Sequence, residues 1–202
     1  MRVINMLLIG AGLVAALPAA NQPATTDVIE HHVQHPNGTV VSVFEMRPRI
    51  SAPPTTTPVN NPRRAVNWFV MSKWDKKYGM CGATTWDPKT GTRSPLISDC
   101  VAVAAHVADS ATGYYAVRGF GDDAGTFQGL LYSGSCYFGI RPKTAADAGI
   151  TYAWYIGTQD IQDLIRDSIS QFGKKGRVSV EGDMSCKNDE SVMDVHWGIY
   201  GY

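Results

Sequence analysis

The chain has 202 residues, with 18 Lys+Arg against 18 Asp+Glu, so its formal net charge is zero. From residue 65 onward it carries 13 basic and 15 acidic residues without a basic stripe. That balance argues against nucleic acid as a main partner and against electrostatic attachment to an anionic membrane.

In chain order, residues 1–20 come first. One early charge, Arg2, precedes an apolar run from Met6 to Ala16, and the segment ends in small residues, Val14-Ala-Ala16 and Pro18-Ala-Ala20. The run is too short for a membrane span and reads as a cleaved secretory signal. The expected product is extracellular, with no stable membrane anchor.

Residues 21–64 have a different composition from the rest. Of 20 aromatic residues only Phe44 lies before Arg64, whereas eight of the 11 prolines do. A segment so poor in aromatics buries little apolar surface against its ordering entropy. It reads as a mostly unpacked leader, with Thr39 to Phe44 as one strand-like island and Ser51 to Pro58 as an extended linker. Within it, Asn37-Gly-Thr39 is an N-glycosylation sequon, and Arg63-Arg64 is a dibasic pair where a kexin-like protease could cut and release the leader as a propeptide, a plain basic linker pair being the alternative. His31-His32-Val-Gln-His35 contains metal-ligand side chains but no second ligand set beside them, so no metal is assigned.

Residues 65–202 form one domain by size. Ser94-Pro95 starts a helix over 95–108, with Ser94 as cap and Asp99 facing the positive helix start. A second helix, with Thr158 as its cap, runs to Phe172: Ile161, Leu164, Ile165, Ile169 and Phe172 share one face, and Gly173 ends it. Strands are expected over 114–120, 128–132, 136–140, 152–156, 177–181 and 195–200, with a hairpin turn at Ser133-Gly-Ser135. The run from Tyr152 through the second helix to Glu181 reads as a strand–helix–strand crossover within one sheet. The expected fold is α+β: a small sandwich, mainly antiparallel sheet, with two helices packed on it.

The four cysteines, Cys81, Cys100, Cys136 and Cys186, all lie in this domain. An exported chain with an even count reads as two disulfides. Three connectivities are open, and the nested one, Cys81–Cys186 with Cys100–Cys136, is preferred.

No Gly-x-Ser-x-Gly elbow, His-Glu-x-x-His helix or phosphate loop occurs. The nearest catalytic set is ribonuclease-like: His106, Glu181 and His196 with Arg118 or Arg177. His106 in an alanine-rich helix and His196 at the end of an exposed strand face read better as structural, and no catalytic residue is assigned. Glu181 and Asp183 could pair as the carboxylates of a glycosidase do, but Asp183 reads as part of a turn with Gly182. The segment Gly119 to Asp123 lacks the further oxygens of a calcium loop. Trp154 and Trp197 are expected in the core. Trp68, Trp74 and Tyr202 are the candidates for exposed anchors to a sugar or protein.

The ordered blocks Cys81-Gly-Ala-Thr-Thr-Trp86, Ser94-Pro-Leu-Ile-Ser-Asp-Cys100 and Tyr132-Ser-Gly-Ser-Cys-Tyr-Phe-Gly139 are similar to the necrosis-inducing factor domain of the fungal extracellular-protein-two (Ecp-type) secreted effectors. Gly157, Asp160, Phe172-Gly173 and Gly182-Asp-Met-Ser-Cys186 continue the likeness, which spans about Cys81 to Cys186. The resemblance implies a cysteine-stabilised effector or killer-toxin-like protein. It would bind a host or competitor surface protein or glycan and in some cases cause cell death. Domains that look like these also occur attached to chitinases. The resemblance carries over the cysteines and no catalytic residue or cofactor. The alternatives are a ribonuclease-like enzyme and a cell-wall carbohydrate-binding module.

Overall fold

A computed structural model describes residues 26–34, 38–48, 65–70, 79–109, 113–118, 125–144, 153–187 and 192–201. The expected signal, Asn37, the linker, Arg63 and Arg64, Trp74, the 119–123 loop and Tyr202 lie outside the described residues, as does the side chain of Trp68.

The strands are β1 (Thr26–Gln34), β2 (Val40–Pro48), β3 (Ala65–Val70), β4 (Cys81–Thr84) and β5 (Asp87–Pro88), then β6 (Gly113–Arg118), β7 (Gln128–Ser133), β8 (Cys136–Pro142), β9 (Trp154–Gly157), β10 (Val180–Lys187) and β11 (Val192–Tyr200). Helix α1 (Ile97–Asp109) follows β5, and α2 (Thr158–Phe172) follows β9. The large sheet has the order β1-β2-β7-β8-β11-β10-β4, with β5 also on β10. A small sheet has the order β3-β6-β9. Every described pairing is antiparallel. The fold is α+β, a small disulfide-stabilised sandwich with two helices.

Alternation along the strands fixes which face is core. On β8, Cys136, Phe138 and Ile140 are buried, and Cys136 is bonded to Cys100 of α1. That face therefore looks toward α1, which also packs on β1, β2, β7 and α2. Val195, Trp197 and Ile199 of β11, Val180 and Met184 of β10, and Ile161, Leu164 and Ile165 of α2 complete the core. Trp154 and Trp197 are fully buried. Trp197 donates its Nε1–H to Thr84 Oγ1 at 2.6 Å, and Trp86 stands edge-on to it.

Three expectations are corrected. First, the leader is not unpacked over 26–34 and 38–48. There β1 and β2 form a nine-pair hairpin, and β2 joins β7 through Phe44↔Tyr132 and Glu45↔Leu131. Val33 and Val43 are in the core, so pairing and contact with α1 supply what the segment's few aromatics do not. Second, the strand–helix–strand unit is not a crossover within one sheet. Strand β9 belongs to the small sheet and β10 to the large one, so α2 links the two. Third, the caps differ. Ser94 Oγ accepts from Gly91 N at 2.7 Å and closes the preceding turn, while α1 begins at Ile97. Gly157, not Thr158, is the N-cap of α2; Thr158 Oγ1 donates to Gly113 O.

Candidate target-binding face

Two disulfides hold the frame. Cys81–Cys186 joins neighbouring strands β4 and β10 across a sequence separation of 105, and Cys100–Cys136 joins α1 to β8 across 36. This is the nested pairing. Asp99 lies beside the second bridge and accepts from both Ser135 N and Ser135 Oγ at 2.7 Å. The helix start and the β7–β8 turn are thus tied twice, by a carboxylate and by a disulfide. At the other end of the core, one oxygen of Asp160 accepts from Gly157 N (2.9 Å), Met80 N (2.7 Å) and Cys81 N (3.2 Å). Burial pushes this carboxyl up to about 6 despite the three donors.

The face of the large sheet turned away from α1 is built in register rows. One row is Glu30, Phe44, Tyr132, Tyr137 and Tyr200, on β1, β2, β7, β8 and β11. Its rings stack: Phe44 on Tyr132 at 4.7 Å, Tyr132 on Tyr137 at 4.9 Å, Tyr137 on Tyr200 at 5.8 Å, all within 22° of parallel. The next row, Glu181–Gly198–Gly139–Gly129, has three glycines. They leave a trough, and Phe127 lies in it. A Cβ on Gly198 would stand 2.7 Å from the Phe127 ring. Phe127 stacks on Tyr200 at 5.0 Å and faces His196, with the Arg141 guanidinium over it at 5.3 Å.

The following row is Asp183–His196–Arg141. Both carboxylates expected at 181 and 183 turn to one imidazole: His196 Nδ1 lies 2.7 Å from Asp183 Oδ1, and Nε2 lies 3.2 Å from Glu181 Oε2. Asp183 is thus a strand residue of β10 and not part of a turn. Beyond it, Asp194 accepts from Ser185 Oγ at 2.6 Å and from Lys143 Nζ at 3.0 Å, and these two bonds hold its carboxyl below the ordinary range. The face grades from charged at one end to aromatic at the other.

Two chemical consequences follow. The ribonuclease-like set is divided. His106 is buried on the opposite side of the sheet, against His31. Arg118 is exposed at the end of β6, and Arg177 donates to Ser94 O at 2.6 Å. Only Glu181 and His196 meet, and both nitrogens of His196 face carboxylates, so neither is presented to a substrate proton. The stacked row is also no flat sugar platform: a ring between two others offers its edge, and both its faces are covered. Sequence reading missed Phe127, Tyr132 and Tyr137 as members of a surface. The signal was present in the spacing of Tyr132 and Tyr137 about the hairpin turn, which places them opposite each other.

Comparison with known proteins bears on the same region. A 120-residue stretch is 28% identical to "Probable chitinase LysM18" of Penicillium expansum, covering 59% of this chain and 8% of that one. A 127-residue stretch is 28% identical to "Secreted chitinase LysM12" of the same organism, covering 62% and 8%. The chain thus spans under a tenth of the length of these relatives. The Hce2 family, described as "Pathogen effector; putative necrosis-inducing factor", matches residues 80–186, which hold both disulfides and run from β4 to the last residue but one of β10. That is more than half of the chain, which therefore belongs to the Hce2 family of pathogen effectors.

Proposed function

We propose that this chain is a secreted fungal effector or killer-toxin-like protein, not an enzyme, that binds a protein on a host or competitor cell through the outer face of its large sheet. The observation that carries this reading is the continuous stack Phe44–Tyr132–Tyr137–Tyr200–Phe127 ending at His196 and Arg141. Half-buried tyrosines and an arginine are the anchors that protein interfaces favour, and a stacked set loses little ordering entropy on binding. Family membership supports the effector role. The name of the second relative and the signal-like start support export.

The test is to apply the oxidised exported chain to plant leaf tissue and to competing fungal cells, scoring uptake of a membrane-impermeant dye. Uptake that is lost in Tyr137→Ala and in Phe127→Ala, with both variants folded, supports the reading. Uptake that survives both variants moves the contact off this face. No uptake and no cell binding by the wild type defeats it.

A second reading, a cell-wall glycan as target, draws on the chitinase names of the relatives. Retention on chitin at high salt that survives Tyr137→Ala supports it; full recovery in the supernatant removes it.

A further inference from the structure

On the core side of the hairpin, three side chains converge. His31 of β1, Glu45 of β2 and His106 of α1 each offer one ligand atom, and these atoms lie within 4.8 Å of one another. We propose that they hold a single zinc-class divalent ion, with three protein ligands and a fourth position open to solvent.

The placement is unlike that of ordinary polar residues. Ile29, His31 and Val33 of β1, and Val41, Val43 and Glu45 of β2, alternate onto the inner face. Valine fills three of these six positions, and any apolar side chain would fit there without a desolvation cost. Instead Glu45 is 3% exposed and His106 6% exposed. The Glu45 carboxylate already meets His31 Nε2 at 3.1 Å with the His106 ring beside them, and a cation among the three would serve all of them as a common charge partner.

The distances fit a small ion. Ligand atoms about 2.0–2.1 Å from zinc stand roughly 3.3 Å apart in a tetrahedron. His31 Nε2 and Glu45 Oε2 are already 3.1 Å apart, and the ligand atom of His106, within 4.8 Å of both, would close on the ion by a side-chain adjustment. An ion entering between His31 and Glu45 takes the place of the proton that now bridges them.

The donor set names the class. Two imidazoles and one carboxylate suit zinc and its neighbours, whereas calcium and magnesium want more oxygen. His106 stands in the last turn of α1, where the helix end favours a cation. His31 is 33% exposed on its side chain and marks the solvent side. Each ligand comes from a different element, so the ion would pin the hairpin to α1. The hairpin's own link to the large sheet is two registered pairs, and Glu45 belongs to one of them.

The test uses the exported chain, stripped with a chelator, then titrated with Zn2+ by calorimetry and with Co2+ by visible absorption. The expected result is one ion per chain, with the absorption of four-coordinate Co2+. His31→Ala and Glu45→Gln each weaken binding by at least about tenfold. His32→Ala, on the exposed face of the same strand, leaves it unchanged. His31 is part-exposed, so His31→Ala decides the matter if Glu45→Gln does not fold. No saturable binding by the folded wild type overturns the site. So does binding that survives His31→Ala and is lost in His32→Ala, which would give the ion to exposed histidines.

Discussion

Gly134 and Asp99 occupy space that admits no Cβ between them. A Cβ at Gly134 would stand 2.5 Å from Oδ2 of Asp99, the oxygen that accepts both Ser135 donors, and Gly134 has φ +51°. Gly134→Ala should destabilise the oxidised protein by about 1–3 kcal/mol, from left-handed backbone strain and loss of the Asp99 contacts. Asp99→Ala should cost about 1–3 kcal/mol by leaving the Ser135 N–H without its acceptor. The double variant should lose less than the sum, because each change disables the same contact. Urea midpoints for the four proteins check this; strict additivity would show that the two residues act separately.

The two disulfides differ in the loop they close. On chain entropy alone, replacing both cysteines of Cys81–Cys186 by serine should cost about 5 kcal/mol, and of Cys100–Cys136 about 4 kcal/mol. Denaturant midpoints of the two double variants give the order. A larger loss for the Cys100–Cys136 variant would place its weight in anchoring α1 and not in loop closure. Intact mass should rise by four hydrogens on full reduction of the wild type.

Asp160 sets a pH dependence whose sign is opposite to that of a salt-bridged acid. Its carboxyl titrates at about 6 in the folded chain, above its ordinary 3.8, because burial outweighs its three backbone donors. The folded state therefore holds the proton more tightly, and this group's contribution favours folding below pH about 4 and is lost as pH rises to about 6. Asp160→Asn removes that dependence. Subtracting the variant's melting temperature from that of the wild type at pH 4, 5, 6 and 7 should give a difference that falls with pH. A difference that rises would mean that Met80, Cys81 and Gly157 hold the charged form.

The outer stack depends on a residue with no side chain. Gly198→Ala puts a methyl where Phe127 lies and should move that ring off Tyr200 and away from Arg141. The expected stability cost is about 1–2 kcal/mol, the value of one or two ring contacts. The near-UV circular dichroism should change, and dye uptake or target binding should fall with it. Unchanged binding alongside a changed aromatic spectrum would remove Phe127 from the contact surface.

Much of the fold is legible in sequence where local pattern decides. The apolar spacing of Ile161, Leu164 and Ile165 marks α2, and the Ser133-Gly134-Ser135 break marks the β7–β8 hairpin. What is not legible depends on long-range pairing. Strands β1 and β2 carry one aromatic between them, and their order comes from β7 and α1, which composition cannot register. The same holds for His31, Glu45 and His106. His31 reads as part of a histidine stretch and His106 as a structural residue of an alanine-rich helix, and only the pairing of β1 with β2 beneath α1 brings them together with Glu45. Asp183 reads as a turn residue because Gly182 precedes it. In the fold that glycine is buried in β10, where a Cβ would strike the carbonyl oxygen of Thr85.

The hairpin gives the dibasic pair Arg63-Arg64 a consequence beyond trimming. It lies upstream of that pair yet supplies two strands of the large sheet. Cleavage there would produce a two-chain protein, with the hairpin as a non-covalent subunit. Were the hairpin then to dissociate, the β7 edge would become a vacant template, with Tyr132 uncovered where Phe44 had lain on it. Such an edge accepts an extended strand from another protein.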